Sequence, residues 1–190
     1  MKVRITRQRI ILLVSILLFI LLVITIYPQI KLPVYSINYL GTKMSFRVNL
    51  RDVQNIPIYP SEEAVQNEIM NQLVENITII FKPGEGEINA HYAVEVFEIV
   101  SKLAIAYKKK FGYMPGFNVV NVTSYENLKG TKENPVIVLI HPIYSNETLA
   151  KLENHVIFLQ GKNATSLKEQ LKNFDLAVVK FIVVALGIKV

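Results

Sequence analysis

The longest apolar stretch of the chain is uncharged and unbroken from residue 10 to residue 27. A helix rises about 1.5 Å per residue, so this stretch covers roughly 27 Å, which is close to the hydrocarbon thickness of a bilayer. Residues 1–9 carry four basic side chains and no acid, and such a flank is retained in the cytoplasm. The pattern therefore predicts an N-terminal transmembrane helix with the rest of the chain outside the cell.

This topology makes the lipid bilayer the first expected partner. A cleaved secretory signal shares the basic start, but its apolar core has about 7 to 15 residues and ends at small residues. Here the stretch is longer and ends at Tyr27 and Pro28, so an uncleaved anchor is the preferred interpretation. The predicted segments are a cytoplasmic basic N-terminus at 1–9, a membrane anchor at 10–27, a proline-containing linker at 28–34 and an extracytoplasmic α/β domain at 35–190.

Shorter apolar patterns after the linker predict strands. Residues 35–40 and 43–49 are β-prone and are joined by Gly41 and Thr42, as in a hairpin. Residues 148–152 and 156–160 predict a second hairpin, although 147–152 could instead form one helical turn. Three further strands are predicted at 77–81, 117–122 and 135–140. The last of these is continuously apolar, which is typical of a parallel sheet with helices on both faces.

Two further segments have helical spacing, and the first begins at a candidate cap, Ser61. At 61–74, apolar residues recur every four positions after Ser61, so a helix should run to about Val74. At 166–188, a broad apolar face is interrupted by Asp175 and Lys180, which are expected at the surface or as caps. These charges predict a buried helix of the folded domain rather than a second membrane span.

A third helix is predicted at 90–111, between two of the strands. Its apolar stripe consists of Ala93, Phe97, Val100 and Ala104, widened by Val96, Leu103 and Tyr107. The stripe predicts that these residues face the sheet. A strand, a helix of about twenty residues and another strand form a βαβ unit with parallel strands. The fold prediction is one α/β sandwich with a mixed, largely parallel sheet and helices packed on it.

Charge and cysteine content narrow the function. The net charge is +6, but residues 1–9 hold four of the 21 basic residues and none of the 15 acidic ones. The outer domain is therefore close to neutral, which argues against nucleic acid as a partner. The cluster 108–110 of three lysines fits the last turn of a helix that ends at Gly112. Without cysteine there is no disulfide, and this favours a prokaryotic envelope protein.

Four N-x-T sequons follow the anchor, at Asn76, Asn121, Asn146 and Asn163. An exposed asparagine in this motif is an acceptor for N-glycosylation in an exterior protein. Asn76 and Asn121 fall in predicted strands, so Asn146 and Asn163 are the favoured sites. Accidental matches to the motif are the alternative.

Ligands of open α/β sheets bind beyond the carboxyl ends of the strands. At that edge the chain places polar and glycine residues after two predicted strands. These candidate rim residues of a ligand cleft are Lys82, Gly84, Glu85, Gly86, Glu87, Asn89, His91, His141 and Tyr144. Glu85 and Glu87 would repel a phosphate, and Asn89 replaces the third glycine of a dinucleotide motif. A tight turn with acids at a helix N-terminus is therefore preferred.

The three histidines are His91, His141 and His155. No H-E-x-x-H or comparable spacing occurs, so neither a metal nor a cofactor is expected. A G-x-S-x-G elbow is also missing, and Ser145 near His141 does not replace one. No catalytic residue can be assigned, and the balance leans against an enzyme.

Five stretches resemble conserved hypothetical proteins of small-genome archaea. The stretches are FRVNLRD at 46–52, NPVIVLIHP at 134–142, SNET at 145–148, ENHVIFLQG at 153–161 and DLAVVKFIVVALG at 175–187. Those proteins carry one N-terminal anchor and an outer α/β domain. The resemblance implies an envelope location and brings no activity.

The sequence therefore leaves three candidate functions. The preferred one is a membrane-anchored extracytoplasmic binding or structural module of a cell envelope or surface complex, with an envelope protein as partner. The alternative is a membrane-tethered hydrolase or sugar-active enzyme whose site lies at the carboxyl edge of the strands. A pilin-like subunit is the third, although no glycine for prepilin cleavage precedes Ile10.

Overall fold

The computed structural model describes residues 35–189, which belong to one compact unit. The predicted anchor at 10–27, its flank at 1–9 and the linker at 28–34 lie outside these residues. Within 35–189, every helix is too short or too polar to cross a bilayer.

The described part of the chain contains eight strands and three α-helices. In chain order they are β1 Tyr35–Tyr39, β2 Thr42–Phe46, β3 Ile58–Tyr59, α1 Glu62–Ile69, β4 Asn76–Phe81, α2 Glu87–Phe111, β5 Gly116–Asn121, β6 Val136–Ile140, β7 Leu149–Glu153, β8 Val156–Gln160 and α3 Leu167–Ala185.

Six of the described strands form one mixed sheet in the order β3-β7-β8-β6-β4-β5. All neighbouring strands in it are parallel except β7 and β8, which form an antiparallel hairpin. The predicted α/β class and largely parallel sheet are thus confirmed. β3 has no counterpart among the predicted strands, because its two residues lie between Pro57 and Pro60 and carry no periodic pattern.

Both predicted hairpins are present. Leu40 and Gly41 turn with φ of +46° and +79°, and Asn154 and His155 turn with φ of +51° and +64°. Positive φ at both central positions is the type I′ geometry, whose twist matches that of the flanking strands. The alternative helical turn at 147–152 is wrong, because β7 occupies this segment.

α1 ends at Ile69, five residues before the predicted end at Val74. The Nδ2 atom of Asn71 donates to the carbonyl oxygens of Asn67 at 3.1 Å and Glu68 at 2.8 Å. The side chain therefore satisfies carbonyl groups that another helical turn would have used, and the helix ends there.

The predicted helix caps are confirmed. Oγ of Ser61 accepts a hydrogen bond from the backbone N–H of Ala64 at 3.1 Å. At the end of α2, Gly112 is left-handed with φ of +81°, and the lysines at 108–110 occupy the last turn. Their positive charges lie at the negative end of the helix dipole.

α2 is rotated relative to the predicted stripe. Ala93 and Phe97 were predicted to face the sheet, but both are exposed, and Phe97 is 71% exposed. The buried face consists of Tyr92, Glu95, Ile99, Lys102, Leu103, Ala106 and Tyr107. Leu103 and Tyr107 of the predicted stripe do lie on this face. The prediction is wrong for Ala93 and Phe97, because two charged residues lie on the buried face and a hydropathy pattern assigns such residues to the surface.

All three described helices pack on one face of the sheet, so the expectation of helices on both faces is wrong. Ile77 and Ile79 of β4 lie in the core that contains the buried helix residues. The opposite face carries Ile80, Val136, Val138 and Val156, and it is covered by Val122, Tyr125 and Leu128. The chain crosses this face as a loop after β5 instead of forming a helix.

α3 is buried around most of its circumference between Phe174 and Ala185. This explains its resemblance to a membrane span. Asp175 and Lys180 are buried too, which corrects their predicted surface position. Each has a partner of opposite charge, since Lys180 pairs with Glu62 and Asp175 pairs with Arg47.

The β1–β2 hairpin forms a separate sheet that packs on the helix-side core and is hydrogen-bonded to the helices through Arg47. Met44 and Phe46 are buried in the helix-side core. The Nη2 atom of Arg47 donates to Oε1 of Glu95 on α2 at 3.0 Å and also to Asp175 on α3. Burial, followed by the charge of Asp175, raises the pKa of Glu95 well above its ordinary value, and Arg47 opposes this shift.

Candidate functional site

The carboxyl ends of β4 and β6 lie side by side, because these strands are parallel neighbours. His141 follows β6 at this edge, and α2 brings His91 against it. Nδ1 of His91 is 2.9 Å from Nε2 of His141, and the two rings stack with centroids 5.1 Å apart. The structure thus brings together two histidines that were both expected at the edge formed by the carboxyl ends of the strands.

Hydrogen bonding determines the tautomers of this pair. Nδ1 of His141 accepts the backbone N–H of Ile143 at 3.3 Å, so the proton of the neutral ring is on Nε2. Nε2–H of His141 therefore donates to Nδ1 of His91, whose own proton is on Nε2. His141 is the donor of the pair and His91 the acceptor.

Burial keeps both rings neutral. His141 has no solvent exposure, and the rings of Tyr92 and Phe174 meet it edge-on at 5.7 and 5.9 Å. Burial, followed by the charge on His91, lowers the pKa of His141 to about 4. Burial also lowers the pKa of His91, although Glu87 and Asp175 oppose this shift. The pair is uncharged at neutral pH, and His141 cannot reach a substrate.

Two tyrosine hydroxyl groups connect the same strand ends. The hydroxyl of Tyr125 donates to the carbonyl of Leu139 at 2.8 Å and accepts the backbone N–H of Lys82 at 2.9 Å. The hydroxyl of Tyr92 lies 3.4 Å away and accepts the backbone N–H of His141 at 3.2 Å. Burial raises the pKa of both tyrosines, so these groups stay protonated and hold the two strand ends together.

The remaining rim candidates surround the histidines without joining them. Nζ of Lys82 lies 5.4 Å from the ring centroid of Tyr144, within the range of a cation–π contact. Glu85, Gly86 and Glu87 are exposed in the turn before and at the start of α2. The carboxylates therefore extend into solvent rather than into a cleft.

The turn before α2 is closed by its own hydrogen bonds. Oδ1 of Asn89 accepts the N–H of Gly84 at 3.1 Å, and its Nδ2 donates to the carbonyl of Gly84 at 2.6 Å. Glu87 lies in the first turn of α2, where the helix dipole favours an acid. This is the tight turn that the sequence favoured over an anion site.

Other candidate chemistry is not assembled. His155 pairs with Glu68 at 2.9 Å, and Oγ of Ser145 donates to the carbonyl of Glu147 instead of His141. Among residues 35–189, no three His, Cys, Asp or Glu side chains converge as metal ligands. The facing nitrogens of His91 and His141 are occupied by their own hydrogen bond.

A groove of about 630 Å³ lies between α2 and β5, on the side of α2 that was predicted to face the sheet. It is lined by Phe81, Pro83, Asn89, Ala93, Val96, Phe97, Val100, Phe117, Val119 and Asn121. Every one of these residues is uncharged. β5 is the last strand of the sheet on this side, and its residue Val119 is 50% exposed. The groove thus combines an apolar lining with an open sheet edge.

The four sequon asparagines differ in environment. Asn121, Asn146 and Asn163 are exposed, and Asn121 lies in the groove lining at the end of β5. Asn76 is half-buried, and its Nδ2 atom donates to Oδ1 of Asn134 at 3.1 Å. A glycan on Asn76 would have to replace one of the two Nδ2 hydrogens of this half-buried amide.

The groove was not predicted from the sequence. The residues Ala93, Phe97 and Val100 were assigned to the sheet interface, whereas they form one wall of the groove. One signal could have revealed it, because α2 is apolar on two sides and only one of them can face the sheet. The second apolar face of such a helix therefore lies outside its contact with the sheet.

The fold and this site define a two-layer α/β domain with an open apolar edge. No family model, curated protein or solved structure matches the chain.

Proposed function

We propose that this chain is a membrane-anchored extracytoplasmic binding module of the cell envelope and that its binding surface is the groove beside β5. The observation that carries the proposal is the coincidence of an uncharged groove and an exposed edge strand. Grooves of this size are typical of binding sites, and exposed apolar patches on a folded domain mark interaction surfaces. Phe97 and Val119 are large exposed apolar residues in its lining.

The sequence supports the location. The uncharged stretch at 10–27 and the basic flank at 1–9 have the length and charge of a single-pass anchor with a cytoplasmic N-terminus. The resemblance to archaeal single-pass proteins agrees with the same envelope location. The proposed anchor would hold the groove outside the cell.

Single cysteines test the topology, because the natural chain has none. Glu126→Cys lies at an exposed position of the folded domain, and Gln8→Cys lies in the basic flank. In intact cells, a membrane-impermeant maleimide should label Glu126→Cys and should label Gln8→Cys only after lysis. The reverse pattern, or recovery of the full chain from the soluble fraction, would refute the anchored topology.

A matched pair of lysine variants tests the binding surface. Val119→Lys places a charge in the groove, whereas Leu73→Lys places one at an equally open position on another surface, where Leu73 is 59% exposed. After chemical cross-linking in native membranes, affinity purification of the full chain should lose its bound protein with Val119→Lys only. Equal retention by both variants would exclude the groove as the binding surface.

A membrane-tethered hydrolase or sugar-active enzyme is the second candidate, and the hydrogen-bonded pair of His91 and His141 favours it. Only His91 is accessible, and Glu85 and Glu87 are not hydrogen-bonded to it. An enzyme would therefore have to use His91 alone. Hydrolysis of ester or glycoside probes by the purified full chain, lost in His91→Gln and kept in His155→Asn, would support this candidate. Absence of turnover in the natural chain and in both variants would reject the enzyme.

A further inference from the structure

β5 presents a complete free edge to the groove. The backbone N–H groups of Gly116 and Val122 donate to carbonyls at the two ends of β4, at 2.8 and 3.0 Å. Because the hydrogen-bonding side alternates along a strand, the N–H and C=O groups of Phe117, Val119 and Asn121 point away from β4. The side chains of these three residues line the groove. An added strand would therefore find backbone partners and an apolar groove together.

This edge lacks the usual protection against pairing. Natural edge strands are shielded by charges, proline, bulges or a covering segment. Residues 116–121 read GFNVVN, without charge or proline, and within 35–189 β5 has a strand neighbour on one side only. Uncovered apolar edges of this kind are templates for another strand.

We propose that the strand added to β5 is β5 of a second copy of this chain, antiparallel to the first about a twofold axis at Val119. In this register Val119 faces Val119 of the other copy, and Phe117 faces Asn121. All outward N–H and C=O groups of these residues are then paired. The apolar side chains of each β5 lie beside the groove of the other copy, and the two sheets become continuous.

The uncharged residues of β5 and of the groove suit β5 of a second copy better than a charged peptide. Both the groove lining and β5 are uncharged, so a charged peptide would bury charge without a partner. β5 itself supplies Phe117 and Val119 on the face that lines the groove. An isologous contact needs a self-complementary surface, and this strand has one.

The size of the contact explains why it needs a membrane. A stable interface uses about 20 to 30 residues from each partner, whereas this contact is built on one six-residue strand. The inference therefore rests on the proposed function, because anchoring in one bilayer raises the effective concentration of the copies. Dimers are expected in the membrane and not at high dilution in detergent.

Cysteine cross-linking tests this register. Residues that face each other in a hydrogen-bonded antiparallel pair have Cα atoms about 5.5 Å apart, which a disulfide can span. Val119→Cys in the full chain, oxidised in native membranes with copper phenanthroline, should give a reducible dimer on a denaturing gel. Asn121→Cys is the matched control on the same face of β5. In the proposed register, position 121 of one copy is offset from position 121 of the other copy by four residues. This offset is roughly 13 Å along the strand, which is too far for a disulfide.

Each outcome decides between the possibilities. Absence of a dimer with Val119→Cys, or equal dimer with Asn121→Cys, would overturn the proposed pairing. A cross-link from Val119→Cys to a different protein would replace the second copy by a strand of that protein. A glycan on Asn121 in the native chain would also contradict the pairing, because Asn121 lies in the seam. Maleimide labelling of Glu126→Cys in intact cells measures the topology independently of dimer formation. A chain that is labelled but not cross-linked would refute the pairing alone, whereas a chain that is not labelled would refute the anchored location.

Discussion

Nε2 of His141 donates a hydrogen bond to Nδ1 of His91 across 2.9 Å, and this bond joins the start of α2 to the end of β6. Only one proton fits between the facing nitrogens. If His91 gained a proton on Nδ1, two N–H groups would oppose each other and the bond would be lost. The bond therefore requires an unprotonated Nδ1 on His91, and a proton on Nδ1 of His141 would remove the acceptor for the N–H of Ile143.

The first prediction is a loss of stability in acid through this pair. The pKa of both histidines is lowered, and that of His141 falls from 6.5 to about 4, so the unfolded chain binds protons first. The contribution of the two histidines to the free energy of unfolding is present above pH 6.5 and is lost as the pH falls towards 4. The shift of His141 corresponds to at most about 3 kcal/mol. Urea unfolding of the full chain, followed by near-ultraviolet circular dichroism across this pH range, measures the loss.

Two variants isolate the contribution of the pair. His141→Asn keeps a side-chain acceptor for the N–H of Ile143 but does not titrate, so its free energy of unfolding should depend less on pH. His155→Asn is the control, since His155 lies in a left-handed turn that asparagine tolerates. It keeps the pair of His91 and His141, so its stability should still fall as the pH falls from 6.5 towards 4. Equal pH dependence in His141→Asn and the natural chain would refute the assignment.

The second prediction concerns the arginine that attaches the hairpin. Arg47→Met leaves the buried carboxylate of Asp175 without its cation and Oε1 of Glu95 without its donor, which should cost about 3–5 kcal/mol. Arg51→Met removes an exposed arginine four residues away and should change stability by less than about 0.5 kcal/mol. Urea unfolding of both variants provides the comparison. Similar midpoints would show that Arg47 does not hold the hairpin.

The third prediction uses the raised pKa of Glu95. Because the folded state favours the protonated carboxyl, its stabilising contribution is present below the ordinary pKa and is lost as the pH rises through the raised one. Glu95→Gln mimics the protonated form, so its stability relative to the natural chain should increase with pH. Glu63→Gln, at an exposed position, should show no such trend. Unfolding of the three proteins at several pH values tests the direction.

These residues show which parts of the fold a sequence can predict. Strands such as β6 and both hairpins follow from local patterns of apolar and turn residues. Their ends were predicted within one residue, except that β2 ends three residues before its predicted end. The phase of α2 was not, because Glu95 and Lys102 are buried. The burial of Glu95 depends on Arg47, which lies 48 positions away, and a local pattern carries no information on that pair.

The candidate site was also predictable only in part. Parallel strands predicted the shared edge of His91 and His141, since this rule needs only the positions of strands and helices. The hydrogen bond between them depends on the rotation of α2 and was not predictable. The groove depends on β5 being the last strand, and strand order is set by contacts between segments distant along the chain.

The fourth prediction concerns glycosylation of the proposed outer surface. Asn146 and Asn163 are exposed and should carry glycans, whereas Asn76 should not, because its amide is bonded to Asn134 and Gly116 packs against it. Peptide mass spectrometry of the chain from its native membranes measures occupancy. Asn146→Gln and Asn163→Gln should each lower the mass by one glycan, and Asn76→Gln should not. Occupancy at Asn76 would contradict the packing at this strand.

The last prediction separates the two apolar sides of α2. Ile99 has no solvent exposure and lies in the core, so Ile99→Ala should cost about 2–5 kcal/mol by leaving a cavity. Phe97 is 71% exposed, so Phe97→Ala should change stability by less than about 1 kcal/mol although it removes a larger side chain.

The same pair separates stability from binding. Since Phe97 lines the groove, Phe97→Ala should weaken binding at β5, seen as a reduced Val119→Cys cross-link in membranes, while the chain stays folded. The stripe expected from hydropathy gives the reverse order of stabilities, because it places Phe97 against the sheet. Urea unfolding of Ile99→Ala and Phe97→Ala therefore determines which side of α2 packs on the sheet. A larger loss with Phe97→Ala would remove the apolar wall on which the groove depends.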